Sequence, residues 1–324
     1  MKAIHVDPDD YSLSWSETDT PVPAAGEVLI KVNATACNRA DLLQRRGRYP
    51  VPDGASQILG LDASGIVADV GAGVDRWSKG DRVCALLSGG GYAEYVTCPQ
   101  SLLLPVPEHL SLTESAAIPE VYFTAFLNLF LEANQKPGEV VLVHAGASGV
   151  GTAAIQLCTT FGSPVIATAS STKLDFLRDL GVELAIDREN EDFSQRVHEI
   201  TDHQGVDIIL DPVGASYFTR NIHLLKSQGR LVLIGLLGGT ETEISLARVL
   251  MKRLRIIGSV LRSRTLEEKT VIADHFRNKV WPRFEDGTLQ PVIDRVLPIQ
   301  RAEKAHELLA ENQTIGKVVL QIES

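Results

Sequence analysis

The stretch Val140-Val141-Leu142-Val143-His144-Ala145-Gly146-Ala147-Ser148-Gly149-Val150-Gly151 decides the fold. Four apolar residues in a row read as a buried parallel strand, and a glycine-rich turn follows at once. Val150, Ala153, Ala154, Leu157, Cys158 and Phe161 then recur at helical spacing. Strand, glycine turn and helix open a dinucleotide-binding βαβ unit. Absent side chains let backbone N–H groups approach a pyrophosphate, and the helix N-terminus adds partial positive charge. The glycine spacing is G-x-x-G-x-G rather than G-x-G-x-x-G, so the strand before and the helix after carry the reading. A tight turn that binds nothing is the alternative at this point.

Downstream of this unit the alternation continues. Apolar strands read at 165–169, 184–186, 206–210, 230–234 and 255–261, with helices at 173–180, 193–201 and 218–225 between them. This predicts an α/β fold with a Rossmann-type, doubly wound parallel sheet. Upstream, residues 1–120 read as β-rich, with short apolar segments at 3–6, 28–32, 65–70, 82–86 and 93–97 between turns of Gly, Pro and Asp. That pattern suggests a small barrel or a partly open sheet. Residues 38–47 read as a helical turn in a long loop that ends Arg48-Tyr49-Pro50. Ser111 and Glu114 are spaced for a capping box at the start of a helix, and a second helix spans 124–132. The tail reads as a helix over 265–286, a strand over 292–296, a helix over 302–311 and a strand over 317–322. The expected division is 1–121, joined by a returning 282–324, against 122–281.

Composition fits an ordinary globular enzyme: 324 residues, 44% hydrophobic and 22% charged. A net charge of −10 argues against general binding to nucleic acid or anionic membranes. No apolar run approaches the roughly 20 residues that span a bilayer. The N-terminus reads as a strand rather than a signal peptide, which makes the cytoplasm the expected location. Cys37, Cys84, Cys98 and Cys158 form no C-x-x-C pair, so neither structural zinc nor a redox dithiol is signalled.

In NAD-binding sheets an acidic residue at the end of the second strand takes the ribose hydroxyls. Here that strand ends Thr168-Ala169-Ser170-Ser171-Thr172-Lys173, with hydroxyls and a lysine but no acid. Ser170 and Lys173, with Arg188 after the third strand, suit a 2′-phosphate, and so favour NADPH. Taken singly, Lys173 and Arg188 read as solvated surface residues.

These residues carry a resemblance. The chain resembles the zinc-lacking quinone oxidoreductases of the medium-chain dehydrogenase/reductase superfamily. It looks closest to the branch containing the tumour-suppressor-inducible quinone oxidoreductase of animals. The resemblance rests on Asn38-Arg39-Ala40-Asp41-Leu42, Gly60-Leu61-Asp62-Ala63-Ser64-Gly65, Gly80-Asp81-Arg82-Val83 and Gly90-Gly91-Tyr92-Ala93-Glu94-Tyr95. It continues in the glycine turn, Gly229-Arg230-Leu231-Val232, Leu261-Arg262-Ser263-Arg264 and Ile315-Gly316-Lys317-Val318-Val319-Leu320. It implies a β-rich GroES-like domain, a Rossmann domain and a nicotinamide site in the cleft between them.

The resemblance also implies roles. Asn38 and Asp41 belong to the family's cleft motif, and Asn38 is expected to approach the nicotinamide or a substrate carbonyl. Tyr49 matches a tyrosine beside the acceptor. Thr124 is expected at the nicotinamide ribose, and Gly146, Ser148, Gly149 and Val150 at the pyrophosphate. Ser170, Lys173 and Arg188 are placed at the 2′-phosphate, and Gly235, Leu236 and Gly238 beside the nicotinamide. Leu261, Arg262, Ser263 and Lys317 complete the expected cofactor shell. Each polar residue has a plainer alternative: Asn38 as a helix cap, Asp41 in capping or a salt bridge, Tyr49 in packing, Arg262 in a pairing. Zinc-dependent relatives carry a cysteine ligand and later a Gly-His-Glu. Asn38 stands at the cysteine position, Leu61 and Asp62 replace the histidine and glutamate, and Cys37 is one residue off register. No metal site is therefore expected. Without that Lewis acid, the expected acceptors are quinones and conjugated enones, which need no polarisation.

The leading expectation is an NADPH-dependent quinone oxidoreductase working by zinc-independent hydride transfer. An NADPH-dependent reductase of enones or 2-enals is the near alternative, and a crystallin-like NADPH-binding protein with little catalysis the distant one. The apolar segment 255–261 is expected to pair with its mate in a homodimer.

Overall fold

Six parallel strands form the sheet that contains the glycine turn. They are β1 (Val141–Val143), β2 (Val165–Ala169), β3 (Leu184–Asp187), β4 (Val206–Asp211), β5 (Leu225–Leu233) and β6 (Arg255–Gly258). Their spatial order is 3-2-1-4-5-6, the Rossmann order, with the reversal between β1 and β4. Helices α1 (Gly149–Thr160), α2 (Leu174–Asp179), α3 (Phe193–Ile200), α4 (Ala215–Leu224) and α5 (Leu246–Lys252) lie between the strands in sequence. Leu142, Ile166, Ile186, Ile209 and Leu231, one from each of the first five strands, meet Phe193 and Val197 of α3 and Ile222 of α4 in one core cluster. Burying each such side chain contributes about 1.5–3 kcal/mol. Gly181, at φ +92°, ends the turn after α2 as its sequence position predicts.

This computed structural model describes residues 1–322. The chain divides into two units, Thr124–Leu261 carrying the parallel sheet, and Met1–Phe123 together with the chain from Arg262 onward. The second join thus falls at 261/262, not at 281/282. The reason is the helix Leu266–Lys279, which packs on the first unit. Its Phe276 ring stacks on Phe123 at 4.4 Å, and Thr270 Oγ1 meets Ser101 Oγ at 2.8 Å. Arg277 donates to the carbonyls of Ser101 and Leu103. Helical periodicity in the sequence does not say against which unit a helix packs.

The first unit is built on a seven-stranded sheet. The path runs Ile293–Pro298, Lys317–Gln321, Glu27–Ala36, Asp62–Val70, Arg82–Leu86, Leu103–Pro105, and Tyr95–Pro99 pairs with Glu27–Ala36 off that path. The last two strands of the chain therefore complete a sheet begun by residues 27–105.

Several elements depart from their expected bounds. β6 stops at Gly258 because its neighbour β5 ends at the paired Leu233. The helix expected over 265–286 is two helices, with Pro282, which has no N–H, at the start of the second, Trp281–Glu285. The helix expected over 124–132 is an α-helix, Pro119–Phe126, widened into a π turn over Leu127–Glu132. Asn128 Nδ2 donates to the Thr124 carbonyl at 2.7 Å there, and so satisfies a backbone acceptor in that turn. Strand Leu13–Glu17 and helix α5 were not predicted. The capping box is present: Ser111 Oγ accepts from Glu114 N at 3.1 Å, and Glu114 Oε2 from Ser111 N at 2.8 Å. Among the described residues no helix is long and apolar enough to cross a membrane.

Candidate functional site

In the parallel-sheet unit, Gly146 and Gly151 shape the turn between β1 and α1. A Cβ on Gly146 would stand 2.8 Å from Ala167 Cβ, and one on Gly151 would stand 2.4 Å from the Ala145 carbonyl oxygen. The turn is therefore closed onto β2 and onto itself, with Ala145 held at φ +53°. Ser148 caps α1, its Oγ accepting from Gly151 N at 3.1 Å. The N–H groups of Gly149 and Val150 remain in the first turn, beyond the reach of the helix's own carbonyls. Two free donors at the positive end of a twelve-residue helix fit a pyrophosphate.

The strand ends beside this turn are locked by a buried polar chain. Thr168 Oγ1 meets His144 Nδ1 at 3.1 Å, His144 Nε2 meets Asn221 Oδ1 at 2.8 Å, and Asn221 Nδ2 donates to Asp211 Oδ2 at 3.0 Å. With Asn221 donating to Asp211, its oxygen accepts from His144, which assigns the imidazole hydrogen to Nε2. Burial pushes His144 down to about 4, so the ring is neutral. Asp211 also takes the N–H groups of Val213 and Gly214. Sequence reading missed this network, although a His at one strand end and an Asp at the next were visible signals.

The other expected contacts of this unit are placed as follows. A Cβ on Gly235 would meet the Pro212 carbonyl oxygen at 2.9 Å, and one on Gly238 would meet Ser216 Oγ at 2.2 Å. These glycines let the loop close over the start of α4, where a side chain at either position would strike neighbouring protein atoms. Leu236 between them is half exposed and Leu261 is buried. Thr124 offers its carbonyl to Asn128. Ser170 precedes the 3₁₀ turn Ser171–Lys173 as its N-cap and Lys173 ends it, and Arg188 is exposed and paired with Glu189 at 3.1 Å.

In the first unit, Asn38 is the N-cap of the helix Arg39–Arg45. Its Nδ2 donates to Asp62 Oδ2 at 2.8 Å and to the Ala36 carbonyl at 3.1 Å, and its Oδ1 accepts from Lys317 Nζ at 2.5 Å. Both amide hydrogens are engaged, so Asn38 does not have a free donor for a nicotinamide or a substrate carbonyl. Asp41 is fully buried: Oδ2 accepts from Asn38 N at 2.7 Å and Tyr92 OH at 3.3 Å, and Oδ1 from Gly60 N at 3.1 Å. Burial raises its carboxyl to about 6 against the pull of these bonds and of Lys317. Its place is that of a capping keystone. Lys317, expected at the cofactor, is buried on Asn38 and Asp62. Ser263 is exposed.

Tyr49 and Arg262 stand apart from this satisfied network. The Arg262 guanidinium lies 5.2 Å from the centre of the Tyr49 ring. Its Nε and one Nη donate to the Ser88 carbonyl at 2.9 and 2.8 Å, while Nη1 is buried without a partner. The half-buried Tyr49 hydroxyl has no hydrogen-bond partner among the described residues. A cavity of about 600 Å³ in this unit is lined by Ile58, Leu86, Val96 and Lys269 among others, not by Tyr49 or Arg262.

Residues 24–108 match the alcohol dehydrogenase GroES-like domain, and residues 149–275 match the zinc-binding dehydrogenase family. The chain is 32% identical to the quinone oxidoreductase of Rattus norvegicus over 99% of its own length and 97% of that protein's. The chain belongs to the quinone oxidoreductase family of medium-chain dehydrogenases/reductases. It is also 33% identical to the synaptic vesicle membrane protein VAT-1 homolog of the same species, over 96% of this chain and 81% of that one. Among solved structures, the CurK enoyl reductase superposes with a TM-score of 0.88 at 26% identity, covering 99% of each chain. A mycobacterial protein solved in complex with NADPH superposes at 0.86 and 30% identity, over 99% of this chain and all of that one.

The family description that matches residues 149–275 names zinc, but the side chains at the ligand positions that the resemblance implies do not fit it. Leu61 has no donor atom, and Asp62 Oδ2 holds Lys317 Nζ at 3.0 Å and Asn38 Nδ2 while Oδ1 takes Glu120 N at 2.6 Å. A cation, the lysine ammonium, already faces the one carboxylate of the set. Among the described residues no group of three or more His, Cys, Asp or Glu is placed to hold a metal ion. In this quinone oxidoreductase relative all four cysteines are buried; burial raises Cys37 to about 12 and Cys84, Cys98 and Cys158 further still, which leaves inert thiols.

Proposed function

We propose that this protein is an NADPH-dependent quinone oxidoreductase that works without zinc. The observation that carries the reading is the Tyr49–Arg262 pair: an unpartnered hydroxyl beside a buried, unpartnered guanidinium N–H. The residues that would hold the dinucleotide are Gly149 and Val150 at the pyrophosphate, with Ser170, Lys173 and Arg188 at the adenosine 2′-phosphate. Bound there, the reduced nicotinamide supplies a hydride. Tyr49 and Arg262 act on the acceptor oxygen, where negative charge develops as hydride arrives. Burial raises the Tyr49 phenol to about 12, with the Glu120 carboxylate adding to the rise and Arg262 opposing it. At neutral pH it is therefore a donor, and it passes its proton to the reduced oxygen and recovers one from solvent. The mycobacterial neighbour's NADPH supports the choice of cofactor.

An enone carbonyl presents the same single oxygen to the same two donors, and the likeness to an enoyl reductase supports that second reading. Oxidation of NADPH by a small panel of quinones and 2-enals, repeated with NADH, tests both. Faster turnover of quinones with NADPH is expected. Turnover of enals far above quinones would replace the first reading by the second. Saturable NADPH binding with no oxidation by any acceptor would leave a binding protein.

A further inference from the structure

The turn expected to meet a 2′-phosphate has a carboxylate built into it. Asp187, the last residue of β3, pairs across the sheet with Ala169, the last residue of β2. Its Oδ2 accepts from Ser171 Oγ at 2.5 Å and from Asn190 Nδ2 at 2.8 Å, and its Oδ1 from Glu189 N at 2.9 Å. Those bonds hold its carboxyl down at about 2, so it is anionic at neutral pH. Ser171 gives its one hydroxyl hydrogen to Asp187 and accepts from Asn190 at 3.2 Å, which leaves it nothing to donate to a phosphate. Arg188, next in the chain, is paired with Glu189. A dianionic phosphate brought to the Ser170–Lys173 turn therefore meets the lysine and, one hydrogen bond behind Ser171, a fixed negative charge.

We infer that Asp187 is a specificity-determining residue that weakens the hold on a 2′-phosphate and so lets NADH compete with NADPH. The inference rests on the dinucleotide reading above and refines it. The acid that reads the ribose in NAD-binding sheets sits at the end of the second strand. Here the third strand delivers a carboxylate to the same turn, and strand pairing brings the two ends level.

The test is calorimetric titration with adenosine 2′,5′-bisphosphate and with 5′-AMP, on the wild type, Asp187→Asn and Ser171→Ala. Asp187→Asn is expected to tighten the bisphosphate by about tenfold and to leave 5′-AMP within about twofold, since only the 2′-phosphate feels the removed charge. Ser171→Ala keeps the carboxylate and is expected to give no such gain; a gain equal to that of Asp187→Asn would mean that loosening the turn, not removing charge, is responsible, and would overturn the inference. Equal changes for both nucleotides, or none for either, would also overturn it while leaving dinucleotide binding intact. A wild type that binds neither nucleotide overturns the dinucleotide reading and this inference with it. Should Asp187→Asn not fold, Asp187→Ser, which keeps a small polar acceptor, carries the same expectation.

Discussion

Lys317 Nζ lies 2.5 Å from Asn38 Oδ1, and the same ammonium lies 3.0 Å from Asp62 Oδ2. Residues from opposite ends of the chain thus meet in a buried ion pair. The register that pairs Val319 with Ala36 brings the start of the last strand to the end of Glu27–Ala36, beside Asn38. Gly316, at φ +73°, leads into the strand where a Cβ would strike the Val292 carbonyl oxygen at 2.3 Å. Removing Lys317 leaves the buried Asp62 short of its cationic partner. Lys317→Met is expected to cost about 3–5 kcal/mol in urea unfolding, and adding Asp62→Asn to recover part of it. A loss below about 1 kcal/mol would show that the pair does not hold this unit together.

Tyr49→Phe removes the hydroxyl and keeps the ring against Arg262. Quinone turnover is expected to fall by about a hundredfold, the range for a lost general acid, with NADPH affinity within about twofold. Unchanged steady-state rates would remove Tyr49 from the reaction.

Lys173→Ala deletes the cation expected at the 2′-phosphate. The loss of a charge-assisted contact is expected to weaken NADPH by about tenfold or more and NADH by less than about twofold. Fluorescence titration with each dinucleotide decides it; an equal loss for both would place Lys173 elsewhere.

Acid should destabilise the protein through its two buried histidines. Burial holds His144 near 4 and His306 near 3, both below the ordinary 6.5. The unfolded chain takes up protons near pH 6.5 and the folded one does not, so their stabilisation is complete above that pH and declines below it. The decline between pH 7 and 6 is expected to be about 0.7 kcal/mol for each histidine. Asp41 opposes it, because its carboxyl, raised to about 6, binds a proton in the folded state first as pH falls further. Urea unfolding of the wild type and His306→Gln at pH 7 and 6 measures the slope. The variant should show the shallower one, and equal slopes would exclude His306 as a source.

Strand β6 is the edge of its sheet, and apolar side chains crowd beside it in sequence: Leu246, Leu250 and Met251 on α5 are each more than 70% exposed, and Ile256 and Val260 follow. An unpaired edge with exposed apolar neighbours fits a second copy of the chain across a two-fold axis. Sedimentation at micromolar concentration is expected to give a dimer, and Leu250→Glu with Met251→Glu a monomer. A monomeric wild type would refute the pairing.

The alternation of strands and helices, the glycine turn and the Ser111–Glu114 box were legible in the sequence because each depends on neighbours within a few residues, whereas the spatial order of the strands is seen only in the folded sheet. Also legible was the side chain at one of the ligand positions that the resemblance implies: Leu61 has no donor atom in any fold. Roles that depend on where a side chain's hydrogens go were not legible. Asn38 and Lys317 carry the expected residue types, yet tertiary pairing turns both inward onto Asp62. Asp187 reads as the end of a short strand, and only its pairing with Ala169 brings a carboxylate to the adenosine turn.

Local spacing and hydrophobic period are properties of adjacent residues, and they determined the α/β class and the parallel sheet; the family followed from the motifs the chain shares with its relatives. Long-range register decided the rest. It returned residues 262–322 to the first unit, closed the loop at Gly235 and Gly238 over the start of α4, and set Arg262 against Tyr49. The physical reason is that a hydrogen bond or ion pair is specified by distance in space, and residues such as 38 and 317 acquire theirs only when the strands that carry them lie side by side.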